Sequence, residues 1–283
     1  MYLLDSTEDL AQRDFPYPRI LVPTMGALHA GHCSLIKLAR SHAGSKGSVI
    51  VSIFVNPAQF DREEDLTSYP QTLEADLELC EQHGADCVFV PKSEEIYHPD
   101  HSISLLEKSL SQTLCGRTRP GHFDGVCLIV NKLFNITKAS HAVFGEKDFQ
   151  QLAIIRRMAR DLNMGVKIIP GATVREPSGL AMSSRNLLLT EDNKKYAPVL
   201  YQSLLTALDM FKAGETSPQK LLNATRKHIK SVPMKPQIDY LELVDAESLA
   251  PLTTLHSMEK NHAAIAAAVF FGEIRLIDHI HLT

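Results

Sequence analysis

Pro23-Thr24-Met25-Gly26-Ala27-Leu28-His29-Ala30-Gly31-His32-Cys33-Ser34 lies between an apolar run, Ile20-Leu21-Val22, and a helical stripe of Leu35, Leu38 and Ala39 that stops at Gly44. That order reads as a strand, a tight loop and a helix start. Gly26 and Gly31 admit backbone angles that a side chain forbids, and they let a bulky ligand approach the main chain. The first-turn amides lack intrahelical partners and, with the helix dipole, favour an anion above the strand. His29 and His32 face the same space and can donate to phosphate oxygens. The stretch therefore points to nucleotide binding with transfer at a phosphate. Taken alone, the histidine pair reads equally as a partly buried structural pair or as half of a metal site.

Working outward, residues 48–54 (SVIVSIF) are short, β-branched and apolar, as a buried strand requires, and Pro57 stops the ladder just beyond them. Residues 61–68 read as loop. Pro70 is expected in the first turn of a helix with a Leu73, Leu77 and Cys80 stripe, closed by Gly84. Residues 86–90 read as another buried strand, and 102–121 carry mixed signals. A helix follows over 123–136, a strand over 141–144, and a helix with Leu152, Ile155, Ala159 and Leu162 on one side, capped by Asp148. A strand at 166–169 ends at Pro170-Gly171.

Strands alternating with helices imply right-handed crossovers and a parallel sheet covered on both faces, an α/β, Rossmann-like domain over residues 1–174. Segments 23–32, 56–60 and 145–148 each follow a strand and so lie at the carboxyl edge, where open α/β sheets bind ligands. Composition changes after residue 174. A loop rich in Pro, Gly and Ser is followed by a long helix opened by Thr190, with a kink expected at Pro198 and an end at Gly214. A second helix is capped by Ser217, and strands follow at 237–244, 263–270 and 273–280. This predicts a smaller α+β C-terminal domain over 175–283.

The 44% hydrophobic and 22% charged content is that of a soluble globular protein, and the net charge of −4 argues against a general nucleic-acid binder. Cys33, Cys80, Cys87, Cys115 and Cys127 show no Cys-x-x-Cys pairing, so free thiols in a reducing cytoplasm are expected. No run approaches a membrane span, and no apolar stretch near the start has signal-peptide length.

The His-x-Gly-His element resembles the signature of the nucleotidyl-transferring superfamily that includes class I aminoacyl-tRNA synthetases, and the longer string resembles the pantothenate synthetases. Five further segments match that family in order: residues 51–60 (VSIFVNPAQF), 119–126 (RPGHFDGV), 132–136 (KLFNI), 144–151 (FGEKDFQQ) and 174–186 (VREPSGLAMSSRN). The resemblance implies two-step, ATP-dependent joining of pantoate to β-alanine. Pantoate carboxylate attacks the α-phosphorus to give pantoyl adenylate and pyrophosphate, and the β-alanine amine then expels AMP. Neither step needs a covalent enzyme intermediate, so positioning and charge stabilisation carry the catalysis.

By the same resemblance, Met25, Gly26, Ala27, Leu28, His29, Ala30, Gly31 and His32 lie on ATP, with His32 the proton donor. Gly145, Glu146, Lys147 and Asp148 form a second nucleotide-binding turn, in which Lys147 neutralises phosphate and Asp148 holds the ribose. Val174 contacts adenine, and Met182, Ser183, Ser184 and Arg185 form a mobile phosphate clamp. Gln59 and Gln151 bind pantoate, and Gln59 is also placed against β-alanine. Neutral amides hold hydroxyl and carboxylate groups without strongly pairing the attacking oxygen.

ATP implies Mg2+, for which Asp76 is a candidate ligand alongside its reading as part of a solvated helix face. The family is typically homodimeric. Ser178 and Leu128 depart from the usual pattern, where an acidic and a small or hydroxylated residue are common. The rival readings are a nucleotidylyltransferase of the same superfamily, which would leave the nucleotide on its product, and a non-catalytic nucleotide sensor.

Overall fold

The computed structural model describes residues 1–255 and 262–283. The first half builds β1 (Tyr2–Leu4), α1 (Thr7–Gln12), β2 (Arg19–Thr24), α2 (Ala30–Ala43), β3 (Ser48–Ile53), α3 (Glu63–Thr67), α4 (Leu73–Gln82), β4 (Cys87–Phe89) and α5 (Ser93–Ile96). Then come α6 (Leu114–Thr118), α7 (His122–Thr137), β5 (His141–Gly145), α8 (Phe149–Asp161) and β6 (Lys167–Gly171). The remainder comprises α9 (Glu191–Tyr196), α10 (Val199–Lys212), α11 (Pro218–Ile229), β7 (Gln237–Asp245), β8 (Ala263–Phe271) and β9 (Ile274–His281).

Two compact units emerge. One comprises Met1–Glu107, Arg119–Glu146 and Ile154–Thr173; the other comprises Lys108–Thr118, Lys147–Ala153 and Val174–Thr283. The first unit holds a six-stranded sheet of order β1-β4-β3-β2-β5-β6 in which every pairing is parallel. The chain moves from β2 outward through β3 to β4, then returns to lay β5 on the other flank of β2. The order therefore reverses between β2 and β5, and the carboxyl ends of β3, β2 and β5 stand side by side. Helix α2 covers one face, with Ile36 and Ala39 fully buried against Ile20, Val22, Val49, Val51 and Val143. In the second unit an antiparallel sheet, β7-β8-β9, packs with Leu200, Leu204 and Leu221. The Rossmann-like sheet and the smaller α+β unit are thus both present.

Several local readings change. Tyr2–Leu4 forms an edge strand on β4, where the sequence analysis assigned no structure. Residues 61–68 are not all loop: Glu63, Glu64 and Asp65 sit in the first turn of α3, where carboxylates complement the dipole. Helix α4 starts at Leu73 rather than around Pro70. Leu73 is 41% exposed, and Asp76 takes a buried position beside Cys80, its carboxylate accepting from the N–H groups of Ala27 and Leu28 and from the Thr72 hydroxyl. Strand β6 runs through Pro170 and Gly171 to pair with Phe144 and Gly145; as the outermost strand it tolerates a residue without an N–H. At Pro198 the chain breaks into two helices rather than kinking one, with Pro198 at the N-terminal cap position of α10. All five cysteines are buried free thiols. Among the described residues no helix is long and apolar enough to cross a membrane.

Candidate active site

Beyond Thr24 the chain leaves β2 through Gly26 at φ +84° and Ala27 at φ +49°. This left-handed pair reverses direction quickly enough to launch α2 directly above the strand end. His29 occupies the N-terminal cap of α2. Its Nδ1 accepts the Gly31 N–H at 3.1 Å, and the Nδ1 of His32 accepts the His29 N–H at 3.4 Å. The imidazoles therefore perform the capping that Ser or Asp usually provides. A neutral ring that accepts at Nδ1 carries its proton on Nε2, so each ring is set up as an Nε2–H donor. The rings lie 4.1 Å apart at their centroids. The sequence reading aimed the first-turn amides at an anion; of these, the Gly31 amide is engaged by His29.

Beside this loop, β3 ends in a 3₁₀ turn over Pro57–Gln59, capped by Asn56. Asn56 is 1% exposed and uses all of its hydrogen-bonding capacity. Its Oδ1 accepts from Tyr97 Oη at 2.7 Å and from the Ala58 N–H at 3.3 Å. Its Nδ2 donates to the Gly125 carbonyl at 3.2 Å and to Gln59 Oε1 at 3.0 Å. Because the two backbone partners fix which end of Asn56 is oxygen, Gln59 must turn its own oxygen to Asn56. Its Nε2 then reaches the Met25 sulfur at 3.2 Å. A thioether is a weak acceptor, so a carboxylate or hydroxyl can take its place at little cost. Gly125 is essential to this arrangement, since a Cβ there would collide with the Ala58 carbonyl. The Gln59 carbonyl in turn accepts from Arg119 and is in hydrogen-bond contact with His122 Nδ1 at 2.7 Å. Arg119 also holds Asp61 at 2.8 Å: burial pushes that carboxyl up, but the guanidinium outweighs it and keeps it below the usual range.

Gly145 and Glu146 close β5, where the Glu146 N–H donates to the Gly171 carbonyl at 2.8 Å. Met25 to His32, Gln59, Gly145 and Glu146 thus gather on three adjacent strand ends of the first unit.

The second unit carries the other expected residues. Lys147 and Asp148 form an ion pair at 3.5 Å just before α8. Of the two following glutamines, Gln150 is buried and spent on structure: it donates to the carbonyls of Leu110 and Thr113 and accepts the Cys115 N–H. Gln151 is half-buried. Val174 accepts the Met182 N–H at 3.0 Å, so 174–182 folds back on itself around a turn with Gly179 at φ +93°. Ser183 caps a 3₁₀ turn over Ser184–Leu188 by accepting the Arg185 N–H, and Ser184 is buried. Asn186 ties this turn to Glu176 and Ala181. Arg175 grips Asp278 with both guanidinium ends, at 2.5 and 2.9 Å. His279, next on β9, stacks on Phe149 with ring centroids 4.7 Å apart. Its pKa is lowered to about 3, first by burial, then by His281 and Arg175. His279 therefore joins the Lys147–Asp148 segment to the fold-back at Arg175.

Sequence reasoning did not single out Asn56, Tyr97, the Arg175–Asp278 pair or His279, and the solvated-face reading of Asp76 is overturned by its 1% exposure. Only Asn56 had a local signal, a capping residue ahead of proline. Among the described residues no cluster of three or more His, Cys, Asp or Glu could hold a metal ion.

The family model for pantoate-beta-alanine ligase matches residues 9–281. The chain is 51% identical over 263 residues to a pantothenate synthetase of Akkermansia muciniphila, spanning 93% of this chain and 92% of that one. It is 48% identical to a pantothenate synthetase of Thermotoga neapolitana, over 91% and 89% of the two chains. Among solved structures, pantothenate synthetase from Thermus thermophilus superposes with a TM-score of 0.93 at 38% identity, covering 100% of this chain and 99% of that one. A pantoate-beta-alanine ligase from Francisella tularensis, complexed with beta-gamma ATP and beta-alanine, gives 0.78 at 31% identity, covering 100% and 98%.

Proposed function

The chain belongs to the pantoate-beta-alanine ligase family, and from that premise we propose how its own residues carry the reaction. It condenses pantoate with β-alanine at the expense of ATP, through pantoyl adenylate, releasing pyrophosphate and then AMP. The observation that supports the assignment of roles is the histidine pair at the head of α2, each Nδ1 facing a main-chain N–H, one strand away from Gln59.

In the first step the pantoate carboxylate attacks the α-phosphorus while negative charge builds on the departing pyrophosphate. We assign His29 and His32 as Nε2–H donors to the triphosphate, His32 being the catalytic donor. Such donors act without reorganisation because their rings are already tied to the main chain. Met25 to Gly31, Gly145 and Glu146 contribute the nucleotide-binding surface; Lys147 neutralises phosphate and Asp148 holds the ribose. Val174 meets adenine, and Met182, Ser183, Ser184 and Arg185 close on phosphate. Gln59 and Gln151 hold pantoate by neutral amides, Gln59 with its NH2 group foremost, and Gln59 also meets β-alanine. In the second step the β-alanine amine attacks the acyl carbon and AMP leaves, so no side chain need form a bond to substrate.

Mg2+ accompanies ATP in this proposal. Asp76 does not fit as its ligand, because each of its oxygens already accepts from a main-chain N–H group. The division into a nucleotide- and pantoate-binding domain over 1–174 and a lid over 175–283, a homodimeric state and a cytoplasmic location belong to the same proposal. Pantoate-dependent exchange of labelled pyrophosphate into ATP, followed by β-alanine and detection of the amide with free AMP, tests the reaction. Absence of pantoate-dependent exchange would overturn it.

A further inference from the structure

The loop bearing His29 and His32 is held by a side chain from another helix. Successive N–H groups of a left-handed turn converge on a concavity suited to an anion. Here the anion belongs to the protein. The Ala27 N–H donates to Asp76 Oδ2 at 2.9 Å, the Leu28 N–H to Oδ1 at 2.8 Å, and the Thr72 hydroxyl to Oδ1 at 3.0 Å. Asp76 is 1% exposed. A Cβ on Gly26 would stand 3.1 Å from Asp76 Oδ2, so glycine is what lets the carboxylate approach.

We infer that Asp76 is a positioning residue for adenylate formation, acting through the 26–28 turn and not as a ligand of a divalent cation. Ala27 holds a left-handed conformation that a side chain disfavours, and the two bonds to Asp76 over-determine it. Leu28 leads directly into His29, so the same bonds set where α2 begins and where both imidazoles stand. Magnesium keeps several waters and demands octahedral oxygens, which an enclosed carboxylate already shared among three donors does not offer. The inference rests on the reading of His29 and His32 as donors to ATP.

The test is Asp76→Asn, whose amide group cannot accept from both N–H groups at once. In the protein without nucleotide, in EDTA, amide exchange at Ala27 and Leu28 should quicken by about ten-fold or more, and thermal unfolding should move down. Pantoate-dependent pyrophosphate exchange should fall by about 10²-fold, the scale of an ångström's misplacement, with the Mg2+ concentration for half-maximal rate unchanged. Protected amides with a raised Mg2+ requirement, or a wild-type rate, would overturn the inference. Should Asp76→Asn not fold, Thr72→Val decides: a smaller change in the same direction supports the clamp, and unaltered Leu28 exchange with unaltered rate ends it. A wild-type protein lacking pantoate-dependent exchange would sink the functional reading instead, leaving the amide-exchange result to judge the clamp by itself.

Discussion

The rings of His29 and His32 lie 4.1 Å apart at a tilt of 35°, and each presents its Nδ1 to a main-chain N–H at the head of the same helix. One ring atom caps, and the opposite atom is assigned to the chemistry. Substitution can separate the two. Asn places Oδ1 where the Nδ1 of His32 lies but has nothing at Nε2. His32→Asn should retain stability to within about 0.5 kcal/mol, whereas His32→Ala should lose about 1 kcal/mol with the cap. Both should reduce pyrophosphate exchange by roughly 10² to 10³. Near-normal exchange by His32→Asn would remove Nε2 from the mechanism.

The amide sense of Gln59 depends on Asn56, and Asn56 leans on the Tyr97 hydroxyl. Tyr97→Phe removes one buried hydrogen bond, an effect of about 1 kcal/mol, or roughly five-fold. We expect it in the KM for pantoate, with the KM for ATP unchanged in initial-rate measurements. An equal rise for both substrates would show a general loss of order.

Adjacent glutamines should behave oppositely. Gln150→Ala strands the Cys115 N–H and two carbonyls in the interior and should cost about 1–3 kcal/mol in chemical denaturation. Gln151→Ala should leave stability near wild type while weakening pantoate far more than ATP. Reversal of that pattern would exchange the two assignments.

Acid should find His279. Its ordinary value of 6.5 is lowered to about 3 in the fold, chiefly by burial. A base whose folded value is depressed lends its full stability above pH 6.5. That stability is lost as pH falls toward 3, because the unfolded chain takes up a proton that the folded chain refuses. His279→Phe, able to keep the stack on Phe149, should therefore lose less thermal stability between about pH 7 and about pH 5 than wild type. Identical slopes would show that another group governs the acid limb.

The strand, turn and helix around residues 20–44, the parallel sheet and the gathering of strand ends were legible from local patterns. Each rests on short-range causes: apolar runs, a left-handed glycine and crossover handedness. Asp76 was not legible. A carboxylate in a helix reads as solvated by default, and nothing near position 76 reveals that the amides of Ala27 and Leu28 will face it. By residue type Gln150 and Gln151 were likewise alike, since either amide suits a ligand or a buried backbone; only the family resemblance picked out Gln151, and the register of α8 is what buries Gln150.

By itself the chain determined which chemical groups it carries and which strand ends bear them, because hydrophobic period and turn chemistry act over a few residues. Tertiary structure alone decided which of those groups are already spent. Whether a carboxylate, an amide or an imidazole nitrogen remains for substrate depends on what distant segments bring against it, and burial makes each such pairing obligatory.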